Sequence, residues 1–297
     1  MMIENDLRSS DGTVLRTYAS GKGPVVLIAN GLGGTPDAWR LLIGRFRDRF
    51  RFVTWDYRGL YGSRRPCDLV HFRIADHLRD ALCVLDCYGA ESAVVMGWSM
   101  GVQLSLALAQ AEPERVRALV LINGTFGAPF KTGPVVGAFG HFVPALLRGA
   151  LPLAPAVGRV IASLARNPIL LRLGMAAGLA GRTLDRSIFM AVSSRWSDLD
   201  YDAFFRILAA LGEHDAGPGL SHVEAPTLIV HGDRDLLTPH HVTDTMLEEM
   251  PNADRFTVEG GTHYSILEQP EAVNERIDRF LLPFNRSPAE QRRAGGG

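Results

Sequence analysis

The sequence predicts an α/β fold: a mostly parallel sheet of about eight strands, flanked by helices and interrupted by an inserted helical segment. Three observations predict it. Short β-branched apolar runs recur with helix-compatible segments between them, and runs buried on both faces and separated by helices form parallel sheets. Across residues 126–219 the alternation stops, and the chain becomes helical, rich in Ala, Leu and Gly, and punctuated by Pro129, Pro134, Pro144, Pro152, Pro155 and Pro168. Finally, 297 residues with 46% hydrophobic content can bury a large core without covalent staples.

In chain order, residues 2–8 and 14–19 flank the turn dipeptide Asp11-Gly12, which predicts a hairpin forming an antiparallel edge. Strands follow at 24–30, 50–56, 92–98, 116–123, 226–231 and 255–259, and helices at 38–46, 72–88, 100–111, 240–250 and 270–282. Residues 1–125 and 220–284 are read as an α/β core, 126–219 as a helical cap, and 285–297 as a disordered tail. A structureless loop of the cap's length does not suit a compact domain, so helices over the sheet are expected.

The net charge of −1 supplies no long-range field that would draw the chain onto nucleic acid, and none is expected as a partner. Cys67, Cys83 and Cys87 lack metal-site or redox spacing and are read as reduced thiols; Cys83 and Cys87, four apart on a helix, are assigned to buried packing. MMIENDLRSSDG is not a basic region followed by an apolar run, so no secretory signal is read and a cytoplasmic location is expected. Arg148, Arg159, Arg166 and Arg172 interrupt the most apolar stretch, so no stable membrane span is expected. Within the cap Lys131, Arg148, Arg159, Arg166, Arg172, Arg182 and Arg186 face the lone Asp185. This bias is read as a solvated outer face, the alternative being attraction to an anionic substrate or lipid surface.

The chemistry starts at Gly97-Trp98-Ser99-Met100-Gly101, between the strand SAVVMGW and the helix continuing VQLSLALA. A tight strand-to-helix turn exposes a serine hydroxyl at a helix N-terminus. A serine is a weak nucleophile unless a base takes its proton and a third group orients the base. Two later strand ends supply such residues, in His231-Gly232-Asp233-Arg234-Asp235 and Gly260-Gly261-Thr262-His263-Tyr264.

GWSMG, GDRDLLTP and GGTHYSILEQPE resemble the α/β-hydrolase family, in its serine hydrolase, esterase- and lipase-like branch, over nearly the whole chain outside the cap and tail. The resemblance implies Ser99 as nucleophile, Asp235 as the orienting acid with Asp233 as runner-up, and His263 as general base. The family's other acid location, Leu121-Ile122-Asn123-Gly124-Thr125 here, offers no carboxylate. Asn30-Gly31-Leu32-Gly33-Gly34 corresponds to the oxyanion loop, which implies the backbone N–H groups of Leu32 and Met100 as oxyanion donors. Two departures stand out: Asn30 replaces the usual histidine, and Val102 stands where many relatives have glycine.

Other motifs are weaker. Gly31-Leu-Gly-Gly-Thr-Pro36 lacks the third glycine of a dinucleotide fingerprint and Gly21-Lys-Gly-Pro lacks the Ser/Thr of a phosphate loop, so no cofactor is expected. His71, His77 and the pair His240-His241 are read as surface residues, and no metal site is expected. Arg58, in Asp56-Tyr57-Arg58-Gly59, is expected to pair locally, and Trp98 and Tyr264 to line the pocket. The substrate is expected to be a small molecule: a carboxylic ester, or a lactone or thioester, with a hydrophobic acyl or aryl part received by Phe139, Phe142, Leu146, Leu147, Leu151, Leu153, Ile161, Leu164, Ile169, Leu170, Leu171 and Leu173 of the cap. It would be cleaved through an acyl-enzyme on Ser99, with activity falling as acid protonates His263. C–C bond hydrolysis, acyl transfer and cofactor-free peroxide chemistry are open to the same triad, as is a ligand receptor on the same fold. The sequence leaves the oligomeric state open.

Overall fold

The apolar runs assemble into one eight-stranded sheet in the order β1-β2-β4-β3-β5-β6-β7-β8. Its strands are β1 (Ile3–Arg8), β2 (Val14–Gly21), β3 (Val25–Ala29), β4 (Arg51–Trp55), β5 (Ala93–Trp98), β6 (Val116–Ile122), β7 (Thr227–Gly232) and β8 (Ala253–Val258). The structure is a computed structural model that describes residues 2–127, 129–132, 140, 142–165 and 167–286. β2 runs antiparallel to both neighbours and every other pairing is parallel. At the hairpin, Asp11 Oδ1 accepts from Thr13 N at 3.0 Å, the side-chain turn that this residue type favours.

Strand periodicity divides the core. Along β5, Ala93 and Val95 enter the hydrophobic layer on one face of the sheet, while Val94, Met96 and Trp98 enter the other. Helices cover both layers: α1 (Arg40–Phe46), α2 (Ile74–Cys87), α3 (Met100–Ala111), α10 (His240–Glu249), α11 (Ser265–Glu268) and α12 (Pro270–Leu281). Because β3 lies between β4 and β5, successive connections leave it in opposite directions. That arrangement opens a crevice at the carboxyl ends of the strands.

Between β6 and β7 the named elements are helical: α4 (Pro129–Thr132), α5 (Val143–Gly149), α6 (Ala154–Ala165), α7 (Pro168–Ala176), α8 (Arg186–Ser194) and α9 (Tyr201–Leu211), with short 3₁₀ turns. Acids are spent here on caps. Asp185 accepts from Ser187 N and Ile188 N at the start of α8, and Asp200 from Asp202 N and Ala203 N at the start of α9. An isolated bridge, Gly127 to Asp215, ties the two ends of the segment together.

Three expectations are corrected. His77 is fully buried under the Tyr57 ring (centroids 4.9 Å apart), because it falls on the inner face of α2 with Ile74, Ala81 and Val84. Burial disfavours its charged form and pushes its pKa down to about 3. Cys87, the last residue of α2, is exposed and Cys83 is half-buried; all three cysteines are free thiols. Arg58 is structural, but its partners are distant in sequence: it is buried between Asp80 and Asp11, bonded to Asp80 Oδ2 at 2.8 Å and Asp11 Oδ2 at 2.8 Å. The basic residues of the segment, Arg159, Arg172, Arg182 and Arg186, are exposed as expected, but on α6 Arg159 shares the outer face with the large apolar side chains of Val157, Val160 and Leu164.

Among the described residues no single helix is long and apolar enough to cross a membrane; one bent pair, Val143–Gly149 with Leu151–Leu164, reaches that length and composition only across a 55° break. Expectations placed on Pro134, Phe139, Arg166, the side chains of Lys131, Leu170 and Leu171, and residues 287–297 lie outside the described residues.

Candidate active site

Ser99 sits between β5 and α3 with φ 56° and ψ −115°, a conformation that a non-glycine residue holds only when its surroundings impose it. Here the imposing contact is Gly101 against β3: a Cβ there would lie 2.0 Å from Ala29 O. Only glycine lets the nucleophile turn press onto the neighbouring strand. Met100 opens α3, where a backbone N–H has no acceptor within the helix and the helix dipole presents its positive end.

Since β3 pairs with β5 in the register Ala29 to Gly97, residues 30–34 emerge beside Ser99. Asn30, replacing the expected histidine, is buried and fully engaged. Its Nδ2 donates to Thr54 Oγ1 at 3.0 Å, its Oδ1 accepts from Trp39 Nε1 at 2.7 Å, and its carbonyl accepts from the Tyr57 hydroxyl at 2.6 Å. Further along, Gly33 O accepts from the Tyr61 hydroxyl at 2.7 Å and from Trp196 Nε1 at 3.1 Å. The loop is thus held from the core and from the helical segment together. Val102 has its own compensation: a Cβ on Gly124 would meet Val102 Cγ2 at 2.3 Å, so the glycine missing from α3 reappears on the facing turn.

The structure brings Asp235 and His263 together, with His263 Nδ1 2.9 Å from Asp235 Oδ2. Asp235 is buried and surrounded by donors: Leu237 N at 2.8 Å and Thr238 N at 3.0 Å to Oδ1, and Asn123 Nδ2 at 3.0 Å together with the Thr238 hydroxyl to Oδ2. Burial alone would raise its pKa, but the imidazole and hydrogen bonds from His263 and Thr238 outweigh it and hold the carboxyl at about 2. Asp233, the runner-up, is exposed, and its carbonyl accepts from His240 Nε2 at 3.1 Å.

Sequence reasoning missed Asn123, Gly124 and Glu268. Asn123 has φ 43° at the end of β6; besides Asp235 it donates to Thr262 O at 3.2 Å and accepts from the Ser265 hydroxyl. It occupies the alternative acid location and serves the acid from there. Glu268, buried, accepts from Thr262 N at 2.7 Å, the Thr262 hydroxyl at 2.5 Å and Gly181 N at 2.5 Å, which fixes the turn before His263 and fastens the helical segment to it. The signal for Glu268 was its place in GGTHYSILEQPE, six residues beyond Thr262.

Ser99, His263, Leu32, Trp98 and Tyr264 line one cavity of about 230 Å³. Trp98 Nε1 donates to His263 O at 3.0 Å, and the Trp98, Tyr264 and Phe189 rings form an edge-to-face series with centroids 5.9 and 5.4 Å apart. The helical segment contributes Ile161, Phe189, Val192, Trp196, Tyr201 and Phe204. Of the cap residues expected to receive substrate, Ile161 alone among those described lines this cavity. No group of three or more His, Cys, Asp or Glu side chains converges as a metal site among the described residues.

The alpha/beta hydrolase fold family model matches residues 24–270. A protein of Agrobacterium fabrum named as a carbamate hydrolase, RutD, is 26% identical over 280 residues, covering 90% of this chain and 96% of the relative. An esterase from Exiguobacterium antarcticum (TM-score 0.74, 20% identity) covers 94% of this chain and 99% of its own. An enol-lactonase from Burkholderia xenovorans (TM-score 0.72, 20% identity) covers 93% and 99%. With the family matched over most of its length, the chain belongs to the α/β-hydrolase fold family and is a hydrolase.

Proposed function

We propose that this protein is a cofactor-independent serine esterase acting on small carboxylic esters or lactones with a hydrophobic acyl or aryl part. Ser99 attacks the carbonyl while neutral His263 takes its proton, the N–H groups of Leu32 and Met100 receive the oxyanion, and His263 then protonates the leaving alkoxide. Water, activated by the same imidazole, releases the acid. Asp235 stays ionised and holds the ring. The chain's three free thiols suit a reducing compartment such as the cytoplasm.

The observation that carries this reading is the convergence of a strained serine and a carboxylate-bound histidine on one cavity with an aliphatic and aromatic lining. A carbamate, the substrate class in the relative's name, would suit the same attack. The lining favours an apolar ester instead: among the described residues, no side chain lining it ionises apart from His263 and the phenols of Tyr201 and Tyr264.

The test is turnover of p-nitrophenyl esters of increasing chain length by wild type, Ser99→Ala and His263→Ala. Both variants should lose on the order of a thousandfold or more in kcat/KM. Turnover that survives Ser99→Ala would overturn the assignment.

A further inference from the structure

The outer surface of the helical segment is built against the usual rule for an amphipathic helix. On α6 the inward face is made of small residues, Ala154, Gly158 and Ala162, and a Cβ on Gly158 would lie 2.0 Å from Tyr201 Cδ2. The close approach of Tyr201 leaves the bulky side chains outside. Leu153, just before α6, and Val157, Val160 and Leu164 on it follow at helical spacing, and Ile169 and Leu173 continue the surface on α7; their exposures run from 39% to 65%. Such a run of large apolar side chains on neighbouring helices differs from the single exposed residues normal on any protein.

The charge left without an ion pair on these helices, among the described residues, is basic. From Phe126 to Leu184 the sequence has no Asp or Glu. Arg148 pairs with Glu213, but Arg159, Arg172 and Arg182 are exposed and make no ion pair among the described residues. A second copy of the chain is a poor occupant: two-fold pairing of this face sets arginine against arginine, and the neighbouring acids Asp200 and Asp202 are already paired with Arg65 and Arg206. An anionic bilayer surface satisfies both features at once, taking the leucines and valines among the acyl chains and the guanidinium groups among the headgroup phosphates.

We propose that the outer face of α6 and α7 docks on an anionic lipid surface. α6 is also a wall of the cavity, through Ile161, so docking sets that wall between the bilayer and Ser99. The proposal does not rest on the esterase reading, because binding is read without turnover.

The test is flotation of the full chain with phosphatidylglycerol-containing and with pure phosphatidylcholine vesicles, at low and high salt. Wild type and Ser99→Ala should float alike with the anionic vesicles, and less as salt rises. Val160→Asp/Leu164→Asp and Arg159→Glu/Arg172→Glu should each lose on the order of tenfold in partitioning, while circular dichroism and Tm stay at wild-type values. Absence of flotation, or flotation indifferent to both variants, overturns the proposal. A wild-type dimer in sedimentation equilibrium that the Asp variant dissociates overturns it too and gives the face to a second copy.

Discussion

The cavity has two walls held by different forces. The wall from the sheet is a polar lattice: Asp235 alone accepts from two backbone N–H groups, a hydroxyl, an amide and an imidazole, and Asn30 and Glu268 are bonded as completely. The wall from the helices between β6 and β7 is aromatic and aliphatic contact, with Tyr201, Phe204 and Phe205 packed ring against ring at 5.7 to 6.2 Å. Hydrogen bonds fix direction, and apolar packing fixes only volume. The first wall therefore sets which reaction is possible, and the second sets which molecules fit. Changes in the two walls should fail differently.

Outside Ser99, Asp235 and His263, the largest effect is expected at Asn123. Asn123→Ala removes a hydrogen bond to a buried carboxylate, a loss of about 1.5–3 kcal/mol, and should lower kcat roughly 10- to 100-fold with little change in KM. Asn123→Asp is the sharper probe: a second carboxylate beside Asp235 raises the proton affinity of His263, so the acid limb of the pH profile should move to higher pH. A KM effect with an unmoved profile would make Asn123 merely structural. Next comes the Gly124–Val102 contact. Gly124→Ala should destabilise by about 1–3 kcal/mol through overpacking, read as a fall in Tm. Val102→Gly in the same chain should recover part of it, since the added methyl also approaches Ser99 O at 2.7 Å. Additive losses would break the claim that the two positions compensate each other.

The contrast between the walls also explains what the sequence showed. Ser99, Asp235 and His263 were legible because each sits at a strand end, inside a short segment whose glycines and polar residues have a local reason to be there. Asn123 read only as a missing carboxylate, since its partners Asp235, Thr262 and Ser265 lie more than a hundred residues away. His77 was misread because the inner face of α2 is chosen by what packs beneath it. The same holds more strongly for α6. Its composition promised leucines over the substrate, yet Gly158 against Tyr201 turned the bulky face outward and left the lining to Phe189, Trp196 and Phe204. Periodicity shows that a helix has two faces, and only tertiary contact decides which one turns inward.

The smallest effect, and the cleanest test of the packed wall, is expected at Ile161. Its side chain reaches the cavity from α6 and belongs to none of the hydrogen-bonded turns that carry Ser99, Asp235 or His263. Ile161→Ala removes three carbons from the wall and nothing from the lattice. Burying one further methylene contributes about 0.8 kcal/mol, so each carbon that the enlarged cavity accepts should raise kcat/KM for the longer ester about fourfold relative to the shorter one. Short esters, which do not reach the wall, should keep their wild-type kcat. If kcat for the short esters falls along with specificity for the long ones, the two walls are one mechanical unit, and Glu268, which reaches Gly181 from the turn before His263, is the place to look for the coupling.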